Sequence, residues 1–164
     1  MDIQQILRPL QQFEEKLGEL YSWFAQVHAI DLEFAAVFNR LAMEEKSHAA
    51  QLDYHRRLAR QNPKLFDRVD LDLAVVLAAL ERVEQVRSEP APPTIAAAVG
   101  LALELESGAA DYHFRNALAQ LNPEVSRLLG SLGRGDQVHY QRLLELAQRR
   151  GLLGPDTPVP APAP

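Results

Sequence analysis

The chain has 164 residues, 47 % of them hydrophobic and 24 % charged, which suits one domain with a core of its own and excludes a disordered body. A net charge of −5 without any Lys/Arg-dense stretch excludes a phosphate-binding surface, so nucleic acid is not an expected partner. The absence of cysteine excludes disulfides, thiol nucleophiles and Cys-ligated iron or zinc, so any metal must be held by oxygen and nitrogen.

Helical periodicity dominates, strand-like alternation is nearly absent and Gly and Pro fall at the joints, so the predicted class is all-α. The first helix is predicted from about Pro9 to His28, with Pro9 in the first turn, where its missing N–H costs nothing. Asp31 caps the second, which runs to about Arg60 and stops before Asn62-Pro63, because a proline disfavours helical backbone in the residue preceding it. A shorter helix follows, from an Asp70 cap to about Ser88, ended by Pro90, Pro92 and Pro93.

Thr94 caps a third long helix reaching Leu121, and Asn122-Pro123-Glu124 supplies cap, first-turn proline and first-turn acid for a fourth reaching Arg150. Residues 1–153 are thus read as one helical domain, and the Pro/Ala-rich tail 154–164 as a flexible polyproline-II segment. Short joins make each long pair antiparallel, while about 33 residues from Gln61 to Pro93 form a crossover holding the short extra helix, a four-helix-bundle connectivity. No apolar run approaches the ~20 residues of a membrane span and no basic-then-apolar leader opens the chain, so a soluble, cytoplasmic protein is expected.

The second helix, read along its inward seam, gives Phe34, Phe38, Leu41, Glu45, His48, Leu52 and His55. An offset of 91 gives Val125, Leu129, Leu132, Asp136, His139, Leu143 and Leu146 on the fourth, so two apolar seams are interrupted at one place by acid-x-x-His. The first helix offers Leu10, Glu14, Leu17, Tyr21 and Phe24; an offset of 92 gives Ala102, Glu106, Ala109, His113 and Asn116 on the third. An internal two-fold repeat is implied, with the acids of each hairpin level with one another.

Four inward carboxylates would be driven to protonate unless a positive charge joined them, and no Lys or Arg interrupts the seams. Two divalent cations balance four carboxylates, with His48 and His139 completing the set; oxygen-rich O/N coordination suits Fe or Mn and tolerates Zn. Glu15 and Glu104 are the rivals of Glu14 and Glu106, and periodicity favours the latter of each. Asp136 has the sharpest rival reading: Gly130, Gly133 and Gly135 would let the helix break and restart with Asp136 as an N-cap. His113 is either a hydrogen-bond donor behind the ligands or an extra ligand, while His28 and His55 read as satisfied residues away from the acid layer.

One Glu from each of two helices and an acid-x-x-His from each of the others resembles the di-iron carboxylate proteins of the ferritin and rubrerythrin superfamily. The likeness covers about Leu10 to Arg150 and is most specific in FEEKLGELYSWFA, with Glu14 seven residues before Tyr21, and in LAMEEKSHAAQL, with Glu45 and His48. It implies a ferritin-like bundle in which Glu14 and Glu106 are single-helix ligands, Glu45 and Asp136 bridge or cap the metals beside His48 and His139, and Tyr21 stands behind them. The chain departs from the pattern in Asp136, where the family has Glu; in His113, at the place matching Tyr21; and in Ala109, where rubrerythrins carry a further Glu. Without cysteines it also lacks their rubredoxin domain.

The resemblance implies O2- or peroxide-dependent oxidoreduction, of a rubrerythrin-like peroxidase or ferroxidase kind, supplied by an external electron donor. It also implies a homodimer by analogy. A metal-binding scaffold without turnover, and a helical interaction protein with a vestigial site, are the alternatives.

Overall fold

The computed structural model of the chain describes residues 3–66, 69–155 and 157. It contains five α-helices, and no strand occurs among the described residues: α1 Ile3–Val27, α2 Leu32–Gln61, α3 Ala74–Ser88, α4 Ile95–Ala119 and α5 Pro123–Arg149. A 3₁₀ turn, Pro63–Phe66, follows α2. The polyproline reading of the tail falls almost wholly on Asp156 and residues 158–164, which lie outside the described residues; Thr157 folds back so that its hydroxyl donates to the Gly154 carbonyl at 2.8 Å.

Three of the four expected caps are made by their side chains. Asp31 accepts from the Phe34 N–H at 3.1 Å, Thr94 from Ala97 at 3.2 Å, and Asn122 from Glu124 and Val125 at 3.0 and 3.2 Å. Two boundaries differ from expectation. The first helix begins at Ile3, so Pro9 sits within it rather than in its first turn. Its apolar stripe continues upstream through Ile3, Ile6 and Leu7, all buried, and Gln4 donates to the Arg56 carbonyl at 2.8 Å, so packing against α2 outweighs the hydrogen bond lost at Pro9. Asp70 caps nothing: residues 69–73 form an irregular approach with Val69 and Leu71 buried, and it is Asp72 that accepts from the Ala74 N–H.

The α1–α2 and α4–α5 hairpins are the two main packed pairs. Contacts between α2 and α5 pair rising numbers with falling ones, Glu33 with Arg149, Glu44 with Arg142 and Gln51 with Ser131. Hence α5 is antiparallel to α2 as well as to α4, and α2 and α4 run the same way, as a long crossover requires. The helix α3 in that crossover rests chiefly on α1. At its far end α5 closes with Gly151 at φ 63°, the Leu152 N–H reaching the Ala147 carbonyl at 2.9 Å and the Gly151 N–H reaching Gln148, a Schellman ending that only glycine enters without strain. Apolar side chains from all five helices, valines from α3 and chiefly Leu, Phe and Ala from the others, fill one core. No helix among the described residues is long and apolar enough to cross a membrane.

Candidate metal centre

The helix α5 is continuous from Pro123 to Arg149, through Gly130, Gly133 and Gly135, so Asp136 is not an N-cap but an interior helical residue facing the core. Two of the glycines have a steric reason to be there. A Cβ on Gly133 would stand 3.1 Å from the Phe114 ring and 3.2 Å from the His113 Cβ; one on Gly135 would lie 2.5 Å from His48 Cε1 and closer still to Nε2. Glycine at 135 therefore lets the Nε2–Cε1 edge of the His48 ring reach α5. Gly18 does a milder version of this on α1, where an added Cβ would meet the Glu45 Cβ at 3.2 Å.

The structure brings Glu14, Glu45, His48, Glu106, Asp136 and His139 into one cluster, all buried, with His113 beside them. Glu15 and Glu104, the rivals one and two residues away, are exposed. From His48, Nδ1 lies 3.1 Å from Glu45 Oε2, 3.5 Å from Glu14 Oε2 and 4.0 Å from Asp136 Oδ1. From His139, Nδ1 lies 2.7 Å from Glu45 Oε1 and 3.4 Å from Glu106 Oε2. The two imidazoles stack with centroids 5.1 Å apart at 22°. Three overlapping sets of donors are each close enough to share one cation: Glu45 with His48 and His139; Glu106 with Asp136 and His139; and Glu14 with Asp136 and His113.

Behind the cluster, the Tyr21 O–H donates to Glu106 Oε1 at 2.6 Å and His113 Nδ1 lies 2.7 Å from Asp136 Oδ2. Residues matched by the internal repeat thus both support a carboxylate. Glu44 is the group sequence reasoning missed. It meets His139 Nε2 at 3.1 Å, while Arg142 and Arg40 bind its carboxylate at 2.5 and 3.1 Å. Partial burial works against its charge, yet the two guanidinium groups hold its carboxyl below the usual range. An ionised Glu44 beside Nε2 of His139 stands on the side of the ring away from the carboxylates that Nδ1 faces, where metal-bound histidines commonly have an acidic neighbour. Its only signals in the sequence were its place beside Glu45 and an Arg40 four residues earlier.

The cluster is not satisfied by its own hydrogen bonds. Both oxygens of Glu14, Oε1 of Glu45, Oε2 of Glu106, Nδ1 of His139 and Nε2 of His113 are buried without a hydrogen-bond partner. The 2.7 Å approach of His139 Nδ1 to Glu45 Oε1 lacks the alignment of a hydrogen bond, so the two atoms are close without being paired.

Burial raises the carboxyls: Glu14 is pushed up to about 7, Glu106 is raised, and Asp136 stands well above the ordinary value, with Glu14 and Glu45 adding repulsion at Asp136. Burial opposes charge on the histidines as well, but the surrounding carboxylates outweigh it, raising His48 to about 10 and His139 to about 11. At His113 burial prevails and the pKa is lowered. Burial, reinforced by Glu106 and Glu45, raises Tyr21 well above its usual value and keeps it a neutral donor.

His28 and His55 stand apart from the cluster. Nε2 of the first lies 2.8 Å from the Pro93 carbonyl, and Nδ1 of the second 2.8 Å from that of Gln51. A crevice of about 330 Å³ between α2 and α5, lined by Glu44, Ser47, Gln51, Arg134 and Gly135, reaches His48 and His139 from outside. No family model, curated protein or solved structure matches the chain.

Proposed function

We propose that the chain is a ferritin-like four-helix bundle with one extra helix in its crossover, binding two metal ions, iron foremost, with manganese or zinc as substitutes. Its function on this reading is O2- or peroxide-dependent oxidoreduction of the rubrerythrin-like peroxidase or ferroxidase kind, in the cytoplasm. The observation that carries the reading is a set of buried ligand atoms that converge in the core without hydrogen-bond partners. Four carboxylate oxygens and Nδ1 of His139 lie buried without a hydrogen-bond partner, and among the described residues no Lys or Arg pairs with Glu14, Glu45, Glu106 or Asp136. Protons on the carboxyls and imidazoles relieve part of this cost in the metal-free protein, and a cation bound between the atoms would relieve it in their place.

The ligands on this reading are Glu14, Glu45, His48, Glu106, Asp136 and His139. Tyr21, His113 and Glu44 hold Glu106, Asp136 and His139 in orientation through the contacts described above. Bound side by side in these ligands, two metals would provide redox and Lewis-acid chemistry for an O–O bond. Around them the chain excludes bulk water, since each of the six is at most 7 % exposed, and it leaves the crevice beside His48 as a way in for a molecule of peroxide size. Electrons come from an external donor. A homodimer is the expected assembly by analogy with the family.

A vestigial, hydrogen-bonded acid–His cluster is the rival reading, and the unpartnered oxygens of Glu14 count against it. Metal analysis of protein isolated from iron-supplemented cells tests the choice. About two equivalents are expected, with stabilisation on adding Fe(II); fewer than about 0.2 equivalents and no stabilisation would overturn the metal reading. Repeated turnover of peroxide by the reduced, loaded protein then separates an enzyme from a passive metal binder.

A further inference from the structure

Three buried histidines belong to the core cluster, and the six-residue ligand set uses two of them. Those two turn to the same acid. Nδ1 of His48 makes its closest carboxylate approach to Glu45 Oε2, at 3.1 Å, and Nδ1 of His139 makes its closest to Glu45 Oε1, at 2.7 Å. From Glu14 Oε2 and Asp136 Oδ1 the His48 nitrogen is farther, 3.5 and 4.0 Å. The ring nearest Asp136 is that of His113, whose Nδ1 lies 2.7 Å from Oδ2.

Of the three residue sets able to share one cation among the described residues, two have no member in common: Glu45 with His48 and His139, and Glu14 with Asp136 and His113. The third, Glu106 with Asp136 and His139, takes one residue from each. Two cations are therefore held at once, with no residue serving twice, by that first pair of sets. The set around His113 also has unmet demand of its own. Both oxygens of Glu14 and Nε2 of His113 are buried without a hydrogen-bond partner, in side chains only 1 % exposed. Packing is opened for this ring as well: a Cβ on Gly133 would come within 3.2 Å of the His113 Cβ, so glycine there lets α5 close on α4 beside it, at a cost in helix propensity.

We propose that His113 is itself a metal ligand, forming one cation position with Glu14 and Asp136, while Glu45, His48 and His139 form the other. Resting on the metal reading above, this gives the centre a third histidine and two positions of different chemistry. One offers two carboxylates and one imidazole. The other offers one carboxylate and two imidazoles, with Glu106 Oε2 3.4 Å from His139 Nδ1 beside it. Carboxylates suit manganese and imidazoles suit zinc and iron, so the two positions are expected to sort metals and not to bind a matched pair. The internal repeat breaks at this point: Tyr21 donates its O–H to Glu106, whereas an imidazole in the corresponding place has a nitrogen lone pair to give a cation.

Cadmium NMR of the full chain tests this, with ¹¹³Cd(II) as the probe cation and the histidine rings labelled with ¹⁵N. A ring nitrogen bonded to the metal splits the metal signal, and a ring that only hydrogen-bonds to a ligand does not. Two ¹¹³Cd signals are expected, one split by two rings and one by a single ring, so that three of the five histidines are coupled. His113→Asn keeps a polar side chain and removes the ring, and it is expected to abolish the single-ring splitting while the other signal stays split by two. The count of coupled rings in the unmutated chain stands even if that variant fails to fold. Zn(II) added stepwise is expected to displace the two-ring signal first.

Bound cadmium with only two coupled rings would overturn His113 as a ligand and leave the metal reading intact. A folded His113→Asn protein that loses no splitting would do the same. Simultaneous loss of both signals to Zn(II) would overturn the sorting of metals. A chain that takes up neither Cd(II) nor Fe(II) would overturn the metal reading itself, and the role of His113 with it.

Discussion

At Gly135 the helix gives up roughly 1 kcal/mol of propensity relative to alanine, and His48 is what fills the space. Gly135→Ala would bring a Cβ to 2.5 Å of His48 Cε1, so the ring must swing out of the cluster or α5 must shift. We expect the overpacking cost, about 1–3 kcal/mol, to outweigh the propensity gain and metal uptake to fall together with it. Thermal unfolding and metal stoichiometry of the variant check this; a more stable protein with full metal uptake would show that His48 does not lie against α5. Such contacts were illegible in the sequence because they join helices distant along the chain, as does Glu44 with His139. By contrast, the choice of Glu14 over Glu15 and Glu106 over Glu104 was legible. Positions one and two residues along a helix point about 100° and about 200° away, so the stripe through Leu10, Leu17 and Phe24 takes Glu14 and not Glu15, and that through Ala102 and Ala109 takes Glu106 and not Glu104.

Among the elements, the joint at Asn122 does more than its capping signature announces. Besides accepting from two first-turn N–H groups of α5, its Nδ2 donates to the Leu65 carbonyl at 2.7 Å, tying the start of α5 to the 3₁₀ turn after α2. Asn122→Ala should therefore exceed an ordinary cap loss, costing about 1–3 kcal/mol, seen as a lower urea midpoint at unchanged slope. A loss below about 0.5 kcal/mol would mean that the Leu65 tie contributes nothing. Caps and prolines made the helix ends at Asp31, Thr94 and Asn122 readable, because those signals act through the local backbone. They misled at Pro9 and Asp70, where tertiary burial of Ile6, Leu7 and Leu71 decides the conformation and no local rule carries that information. The glycines of α5 belong with these cases: read locally they permit a break, yet the unbroken seam from Val125 to Leu146 is buried at every step and holds the helix continuous.

For the molecule as a whole, the core cluster sets how stability depends on pH. Glu14, Glu106 and Asp136 bind protons more tightly folded than unfolded, Glu14 rising from 4.5 to about 7. His48 and His139 do the same, rising from 6.5 to about 10 and about 11. A group whose pKa is raised by folding contributes its full stabilisation below the unfolded value and loses it as pH climbs through the folded one. The metal-free protein should therefore weaken as pH rises from about 4.5 through neutrality, with His113, whose pKa is lowered, opposing only near its own titration. Metal reverses the sign. Binding requires ionised carboxylates and neutral imidazoles, so each proton it displaces adds about 1.4 kcal/mol of binding free energy per pH unit. The gap in unfolding temperature between Mn(II)-saturated and metal-free protein should widen steadily between pH 5 and pH 8, since ligand bound only to the folded state stabilises by mass action. Thermal melts of both forms across that range measure the gap directly. A gap that stays constant or narrows would mean that the metal does not displace these protons, and hence that it binds somewhere other than among Glu14, Glu45, His48, Glu106, Asp136 and His139.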